Sequence, residues 1–414
     1  MPVWHERTKE HVVAGRLAVL GITQEQHPAR CRLFAQWKGI DWPILWDPFN
    51  LTGSKAVPNF TLVDAHGVVR VAQARPDDLA AFLDTSYEAP GAPPAPASND
   101  TRLVAPSLDP TSVERQVLET LLYDEPAAHD AAVTLLTRLV STDAGVRSFR
   151  LGVAFRIRYD GAPSEPGDFA RALDNWTKAL RAQPDQYIWR RRIQQYGPRP
   201  DKPYPFYDWV ERARADLTAE GQTPVTLPVP LTETERNVWR EATADETEPD
   251  PHDRVPRAAG EAVAWIDAAV AWSTTRGKPA ARVHLRVVPV DPKRASFDAA
   301  EEVVGWVRAP VGDDWQVAPR RIVGTIVPGP GIPGPGIPGP GIPGRGIPGT
   351  GTPGAAEGGA AASPVLLEFE LTPSEGAETV LLEGYVLLPV CRMDDGRCLR
   401  VRQSFRVLVP RRDR

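Results

Sequence analysis

The segment from Trp42 to Val71 constrains the fold of this chain most strongly, because its apolar runs and turn residues follow in a fixed order. One apolar run ends at Asp47, and a second begins after Val57-Pro58. A turn at His66-Gly67 then separates two short runs that have the composition of strands. The pattern predicts a strand, a loop and a β-hairpin.

The residues upstream of this segment predict a βαβ unit. The run LAVLGIT, Leu17 to Thr23, has the composition of a buried strand. A crossover helix is predicted to open near Pro28, and Pro76 to Thr85 predicts a last helix with acidic residues in its first turn. The apolar residues of the crossover helix that can face the sheet are Cys31, Phe34, Ala35 and Trp37.

This arrangement resembles the C-terminal two-thirds of a thioredoxin fold in the TlpA/ResA and thiol-specific antioxidant branch. In that family the proline of the VP-x-x-x-L-x-D-x-x-G pattern is cis and faces the redox cysteines, and Pro58 is the matching position. The resemblance implies that Val57 and Pro58 contact the substrate. Residues 1–87 contain no CxxC pair, so it assigns no catalytic residue to this thioredoxin-like domain.

The first residues predict a helix that ends at Gly15, the usual left-handed cap. In the resembling family this helix begins with W-C-x-x-C, and Met1-Pro2 aligns with a Met-Pro a few residues later. The resemblance implies that the first strands and the catalytic turn lie upstream of Met1; a divergent start with no missing part is the alternative. The predicted apolar positions of the helix are Val3, Trp4, Val12 and Val13.

Cys31 has two interpretations. A single cysteine in a thioredoxin-like fold can be a resolving or peroxidatic thiol. A cysteine within a helical apolar pattern also behaves as a small hydrophobic residue, and the P-x-x-x-T-x-x-C surroundings of a peroxiredoxin nucleophile are absent from the sequence. We favour the structural interpretation.

The middle of the chain predicts a small helical module. Residues 88–110 are rich in Pro, Ala and Ser and predict an extended linker, and residues 111–220 have apolar residues at helical spacing. One stretch resembles a tetratricopeptide-type hairpin, but no second copy follows at a period of about 34 residues, so a solenoid is not predicted. The apolar positions of that stretch are Ala172, Trp176, Ala179 and Leu180.

Residues 185–210 interleave aromatic rings with arginines, as in the run WRRR from Trp189 to Arg192. The segment could form a cation-π groove for an anionic partner or an exposed peptide. It could instead be a loop whose rings pin it over the helices while its arginines stay solvated. We favour the structural interpretation.

The C-terminal part predicts β-structure. Residues 221–256 predict a polar linker, and residues 257–410 predict an antiparallel sandwich, because short β-branched runs alternate with turn residues. Ala258 to Thr274 alone is predicted as a helix, with a strand as the alternative. An insertion at 327–354 repeats Pro-Gly-Pro-Gly-Ile; this period excludes a collagen helix and predicts a flexible, elastin-like loop without a catalytic role.

Two of the predicted strands flank Cys391 and Cys398, with the turn-forming run Asp394-Asp395-Gly396 between them. This resembles the N-terminal, immunoglobulin-like domain of the DsbD thiol reductases, whose cysteine pair surrounds a D-x-G turn between two strands. The resemblance implies a redox pair, with one more intervening residue than that family has. We expect a disulfide under oxidising conditions. A reversible couple and a purely structural bridge remain alternatives.

Composition removes several classes of function. The net charge of −5 gives no basic field for nucleic acid. No CxxC or Cys/His zinc spacing occurs, so neither a metal nor a cofactor is predicted. No apolar run reaches the roughly 18 residues of a membrane span, and the start MPVWHERTKEH is too polar for a signal peptide.

The sequence therefore predicts a multidomain α/β + α + β chain: an N-terminally truncated thioredoxin-like domain, a helical module and an immunoglobulin-like β-sandwich. Two functions fit this arrangement. The first is thiol-disulfide exchange with protein thiols or disulfides, in the periplasm or cell envelope by resemblance, with this chain an incomplete oxidoreductase. The second is a non-catalytic scaffold that binds proteins through a degenerate thioredoxin fold and a helical hairpin.

Overall fold

The structure is a computed structural model. Of the Pro/Ala-rich linker predicted at 88–110, the structure describes only residues 88 and 89. The Pro-Gly insertion at 327–354 lies wholly outside the described residues. The described residues are 2–89, 112–123, 128–139, 143–161, 165–196, 205–229, 231–232, 235–236, 247–257, 263–275, 278–291, 294–298, 301–310, 314–326, 364–392 and 396–411.

The chain divides into two compact units. The first comprises Met1–Ile157, Asp174–Ile193 and Asp208–Thr226. The second comprises Arg158–Leu173, Gln194–Tyr207 and Leu227–Arg414.

The first unit begins with short elements: α1 (Pro2–Val13), β1 (Gly21–Thr23), α2 (Pro28–Trp37), β2 (Ile44–Trp46), β3 (Leu62–Val63), β4 (Val69–Val71) and α3 (Asp78–Asp84). Strands β1 and β2 pair in parallel across α2, which confirms the predicted βαβ unit. Strands β3 and β4 form the predicted hairpin, and Gly67 in its turn has a φ of 78° that suits glycine.

Two predictions for these elements are wrong. Of the four apolar residues predicted to pack α1, only Trp4 is buried, and Val13 is 84% exposed. Helix α1 packs chiefly through Trp4, which stacks on Phe60 with ring centroids 4.4 Å apart. The strand predicted from Leu17 to Thr23 is paired only over β1, because β2 offers a short partner.

Further helices follow in the described chain: α4 (Val113–Tyr123), α5 (His129–Arg138), α6 (Ala144–Asp160), α7 (Asp168–Ala182), α8 (Tyr187–Tyr196) and α9 (Val210–Ala219). The predicted periodicity of α7 is confirmed, since Ala172, Trp176 and Ala179 are fully buried. Gly152 of α6 allows the Trp176 indole to approach, because a Cβ at position 152 would lie 2.5 Å from Nε1 of Trp176.

The loop predicted within residues 185–210 is wrong over α8. Ile188, Trp189 and Ile193 are buried at helical spacing, and Trp189 stacks on Phe149 at 5.3 Å. Arg192 is also buried rather than solvated, because its guanidinium donates to the backbone oxygens of residues 24 and 48 and to a glutamine side chain. Backbone oxygens thus compensate the buried charge.

The second unit contains a largely antiparallel sheet: β5 (Ala264–Thr275), β6 (Lys278–Pro289), β7 (Ala295–Phe297), β8 (Val303–Val307), β9 (Trp315–Ala318), β10 (Arg321–Ile326), β11 (Val365–Pro373), β12 (Val380–Arg392) and β13 (Cys398–Val409). The strand order is β13-β12-β8-β10-β11-β6-β5, with β7 on β12 and β9 on β11.

One hydrophobic core joins the two ends of this sheet. Val386 and Leu388 of β12 belong to the same buried cluster as Val283 of β6 and Phe369 of β11. The opposite faces of these strands point away from that core, because side chains alternate along a strand.

The helix predicted for Ala258 to Thr274 is wrong where the structure describes it. Strand β5 pairs with β6 along its whole length, from Ala264 opposite Pro289 to Thr275 opposite Lys278. Its Val and Trp residues suit a strand, and the ladder satisfies the backbone hydrogen bonds.

Candidate functional site

Cys391 and Cys398 are joined by a disulfide at the end of the β12-β13 hairpin. They lie directly opposite each other in the ladder, with an S–S length of 1.99 Å and Cα atoms 3.9 Å apart. The backbone N–H of Arg392 donates to the oxygen of Arg397 at 2.9 Å, which closes the hairpin. Asp394 and Asp395 of the predicted turn lie outside the described residues.

The disulfide lies on the face of the hairpin that points away from the core. Val390 and Leu388, on the alternate positions of β12, belong to the core cluster. Cys391 is half-buried and Cys398 is exposed. A reagent can therefore reach the Cys398 sulfur without opening the core.

The short strand β7 brings Asp298 close to the cysteine pair. Ser296 pairs with Cys391, and the backbone N–H of Asp298 donates to the oxygen of Pro389 at 2.9 Å. This places a carboxylate oxygen of Asp298 within 4.8 Å of both sulfur atoms. Asp298 could not be predicted as a neighbour of the cysteines, because nothing in the sequence shows that β7 pairs beside Cys391.

The same three residues form a candidate set of metal ligands, but thiolates bind metals and disulfide sulfurs are not thiolates. Positive charge also lies close, since Arg392 and Arg397 flank the turn. Arg400 donates to the backbone oxygen of Glu302 at 3.3 Å. The carboxylate disfavours a thiolate after reduction, and the guanidinium groups favour one.

The residues at 247–257 cover the outer face of the hairpin beyond the disulfide. Arg402 donates to the Asp250 carboxylate at 2.9 Å, and its guanidinium lies over the Tyr385 ring at 3.8 Å. The Tyr385 hydroxyl donates to Glu248 at 3.2 Å, and burial raises the pKa of Tyr385 to about 12. Buried charge and hydrogen bonds thus hold this segment against β12 and β13.

Val57 and Pro58, the predicted substrate contacts, belong to the first unit, whereas the cysteine pair belongs to the second. The peptide bond between Val57 and Pro58 is cis, as the resembling family has it, and both side chains are exposed. Lys55, two residues before Val57, accepts a hydrogen bond from the backbone N–H of Tyr187 at 3.1 Å. The role of Val57 and Pro58 as substrate contacts stays a prediction.

Cys31 lies on α2 and is half-buried. Burial raises the pKa of its thiol, and a hydrogen bond with Thr23 acts in the opposite direction. A raised pKa leaves little thiolate at neutral pH, which agrees with the structural interpretation of this residue.

A buried polar chain on the outer face of β6 and β11 also escaped the sequence analysis. The Tyr159 hydroxyl lies 2.8 Å from Nε2 of His284, and Nδ1 of His284 lies 3.1 Å from the Glu368 carboxylate. Phe169 packs edge-on against the imidazole at 4.9 Å. The period-two patterns of β6 and β11 could have placed His284 and Glu368 each on the outer face of its own strand, but not shown that the two strands pair or that Tyr159 covers both residues.

Comparison of the chain with protein-family models, curated proteins and solved structures gives no match. Within the described residues, no helix has the length and apolarity needed to cross a membrane.

Proposed function

We propose that the protein carries out thiol-disulfide exchange and that Cys391 and Cys398 are its reactive couple. The observation that carries the proposal is the exposed position of Cys398 on the outer face of the hairpin. The Asp298 carboxylate within 4.8 Å of both sulfurs supports it further, because a nearby charge adjusts the balance between thiol and thiolate.

In the proposed reaction a partner thiolate attacks the Cys398 sulfur, and the bond to Cys391 breaks. Cys391 leaves as a thiolate and takes a proton, while Cys398 forms a mixed disulfide with the partner. A second partner thiol, having lost its proton, attacks the partner sulfur of the mixed disulfide and releases Cys398 as a thiolate, which takes the second proton. Two electrons and two protons thus pass from the partner to the pair, and the partner becomes oxidised.

The wider proposal follows the resemblances. The βαβ unit followed by a hairpin supports a thioredoxin-like first unit with Val57 and Pro58 near its substrate, beside a tetratricopeptide-like helical part. The two-sided packing of strands around one core supports an immunoglobulin-like, DsbD-like second unit. Because disulfides persist in oxidising compartments, we propose the cell envelope as the location.

The test treats the oxidised chain with a reduced thioredoxin, alkylates free thiols and maps them by mass spectrometry. We expect alkylation of Cys391 and Cys398 in the wild type and equally in Cys31→Ser. A Cys391→Ser variant whose Cys398 has first been converted to its mixed disulfide with thionitrobenzoate should form a stable mixed disulfide with a reduced thioredoxin that lacks its second cysteine, with release of thionitrobenzoate. If reduced thioredoxin leaves the disulfide of the folded chain intact but reduces it fully once the chain is denatured, the disulfide is purely structural.

The scaffold function is the second candidate, and one surface of the first unit favours it. Ile22 of β1 and Leu45 of β2 are directly opposite in register, and they are 51% and 52% exposed. Neighbouring apolar side chains exposed on two strands suit contact with an apolar segment of another protein. The test compares which proteins bind to two double variants. Partner proteins that still bind Cys391→Ser/Cys398→Ser but no longer bind Ile22→Glu/Leu45→Lys would support the scaffold function. Partner proteins that no longer bind the cysteine variant but still bind Ile22→Glu/Leu45→Lys would contradict it.

A further inference from the structure

The β12-β13 hairpin, and not the disulfide alone, holds Cys391 and Cys398 side by side. The two strands pair without a break along β12 up to Cys391 opposite Cys398. The backbone hydrogen bond from Arg392 to Arg397 makes the next pair the hydrogen-bonded one, so the cysteines occupy a non-hydrogen-bonded pair, whose side chains lie closer together. Reduction of the bridge therefore leaves two thiols adjacent on the outer face of the sheet.

The backbone around β7 fixes Asp298 beside these two sulfur atoms. The Asp298 N–H donates to the oxygen of Pro389 at 2.9 Å, and the Asp298 backbone oxygen accepts from the N–H of Glu301 at 3.3 Å. A carboxylate oxygen and the two sulfurs all lie within 4.8 Å of one another. In a tetrahedral zinc site, Zn–S bonds of about 2.3 Å and Zn–O bonds of about 2.0 Å place the oxygen about 3.5 Å from each sulfur. Rotation about the side-chain bonds of Asp298 and the cysteines covers the difference.

Charge favours a cation at this position once the bridge is reduced. Two thiolates and one carboxylate place three negative charges within 4.8 Å, and a divalent cation among them replaces their mutual repulsion with attraction. The filled site keeps one negative charge, which suits Arg400, two residues from Cys398 on the same face.

The types of ligand atom favour zinc over other divalent cations. Two thiolate sulfurs with one carboxylate oxygen suit zinc, whereas magnesium and calcium take oxygen ligands. Cys398 is exposed, so a solvent water reaches the fourth position that three protein ligands leave open.

We propose that Cys391, Cys398 and Asp298 form a zinc site that exists only when the disulfide is reduced. A dithiol first passes two electrons and two protons to the bridge. Zinc then binds both sulfurs as their protons leave to solvent, and the Asp298 carboxylate is the third protein ligand. The oxidised pair binds no zinc, because disulfide sulfurs are not thiolates. The site requires only that the bridge can be reduced, and not that a protein partner exchanges with it.

The first test measures the zinc affinity of the full chain by competition with a chromogenic chelator. The bridge is reduced with tris(2-carboxyethyl)phosphine, which needs no protein partner. We expect one zinc ion per reduced chain, and we expect Cys391→Ser/Cys398→Ser and the oxidised chain to lack that site. Asp298→Asn should bind zinc at least about tenfold more weakly, because losing even a group that supports a metal ligand costs about that factor.

Two variants control for other carboxylates and thiols. Glu301→Gln removes the same charge from an exposed side chain three residues after Asp298, and should change the zinc affinity less than about twofold because solvent and salt screen it. Cys31→Ser should leave the affinity unchanged. Equal losses in Asp298→Asn and Glu301→Gln would overturn the role of Asp298, and a loss in Cys31→Ser would place the metal at another thiol.

X-ray absorption of zinc bound to the reduced wild-type chain tests the ligands without any substitution. We expect two sulfur neighbours at about 2.3 Å and two oxygen or nitrogen neighbours at about 2.0 Å. Four sulfur neighbours would show that two chains share the metal, and would overturn the site as proposed. The absence of sulfur neighbours would identify an adventitious ion only.

Zinc should also shift the redox equilibrium of the pair, because it binds the reduced form alone. At a constant free zinc concentration of about a hundred times the dissociation constant, the reduced form should gain about a hundredfold, or about 60 mV in the midpoint potential. The shift should be at most about half as large in Asp298→Asn. A midpoint that zinc does not change would overturn the inference.

Two outcomes separate this inference from the proposed function. If the reduced chain binds zinc as expected but a reduced thioredoxin leaves the folded disulfide intact, the zinc site stands and the exchange function fails. If thioredoxin reduces the disulfide but the reduced chain binds no zinc, the exchange function stands and the zinc site fails. A bridge that resists even tris(2-carboxyethyl)phosphine in the folded chain would overturn both.

Discussion

Asp298→Asn is expected to make the reduced cysteine pair more reactive. The carboxylate oxygen lies within 4.8 Å of both sulfurs, and Coulomb's law gives a repulsion of about 0.9 kcal/mol at that separation in the dielectric of water. Removing that repulsion raises the thiolate population about fourfold. A thiolate that forms more easily is also a weaker nucleophile, with a coefficient of about 0.4–0.5, so the net gain in rate is about twofold.

The assay is alkylation of the reduced protein by iodoacetamide, an uncharged reagent, near neutral pH. Raising the salt to about 1 M shortens the screening length to about 3 Å and should remove most of the gain. Asp84→Asn, an exposed position in the first unit, changes the net charge equally and should leave the rate unchanged. A slower or unchanged rate in Asp298→Asn, or a gain that persists in salt, would refute the electrostatic argument.

Three further predictions concern the framework. Gly152→Ala should destabilise the chain by about 1–2 kcal/mol in urea unfolding, because overlap with Trp176 costs more than the helix propensity that alanine restores. Asp168→Asn should cost about 3 kcal/mol, because it leaves the buried Arg158 guanidinium, now 2.7 Å from the carboxylate, without its counter-charge. Burial, followed by the Arg30 charge, holds the pKa of His27 well below 6.5. Below about pH 6.5 the unfolded chain therefore binds a proton that the folded chain does not, so the free energy of unfolding should fall as the pH drops. The fall should be smaller in His27→Asn.

Matched variants check each of these predictions. Gly152→Ala should cost far less in a Trp176→Leu background, and an equal cost would place the overlap elsewhere. Asp174→Asn removes an exposed ion pair with Lys178 and should cost less than about 0.5 kcal/mol; a cost equal to that of Asp168→Asn would contradict the argument from burial. His252→Gln, at an exposed position, should keep the wild-type pH profile.

Local patterns predicted the elements whose partners are close in sequence. The βαβ unit follows from two apolar runs around a helical pattern, and the hairpin turn follows from Gly67. Helix α7 is amphipathic enough that Ala172 and Trp176 could be assigned to the core from spacing alone. The end of the β12-β13 hairpin was predictable because Cys391 and Cys398 surround a turn sequence.

Errors arose where distant partners override local composition. The alanines of β5 predicted a helix, but β5 forms a strand because β6 pairs with it along its whole length. The arginines of α8 suggested a solvated loop, yet Arg192 is buried against backbone oxygens of residues 24 and 48. The sequence alone does not show which segments lie against α8, so it could not identify these backbone oxygens as the acceptors.

The candidate site was predictable only in part for the same reason. The cysteine pair is visible in the sequence, whereas Asp298 reaches it through a strand that lies far away along the chain. The surface beside the pair combines β8, β10, β12 and β13 with the segment at 247–257, so no single stretch shows it. Sequence alone therefore identified the cysteine pair of the proposed site and missed the surface beside it.

The most direct test of the central claim is the midpoint potential of the Cys391–Cys398 couple. The folded chain is equilibrated in a series of glutathione buffers, quenched by alkylation, and its two thiols are quantified by mass spectrometry. An exchangeable couple predicts a midpoint above about −300 mV, within reach of cellular dithiols. A midpoint below about −300 mV would make the bridge a structural staple and contradict the proposed function.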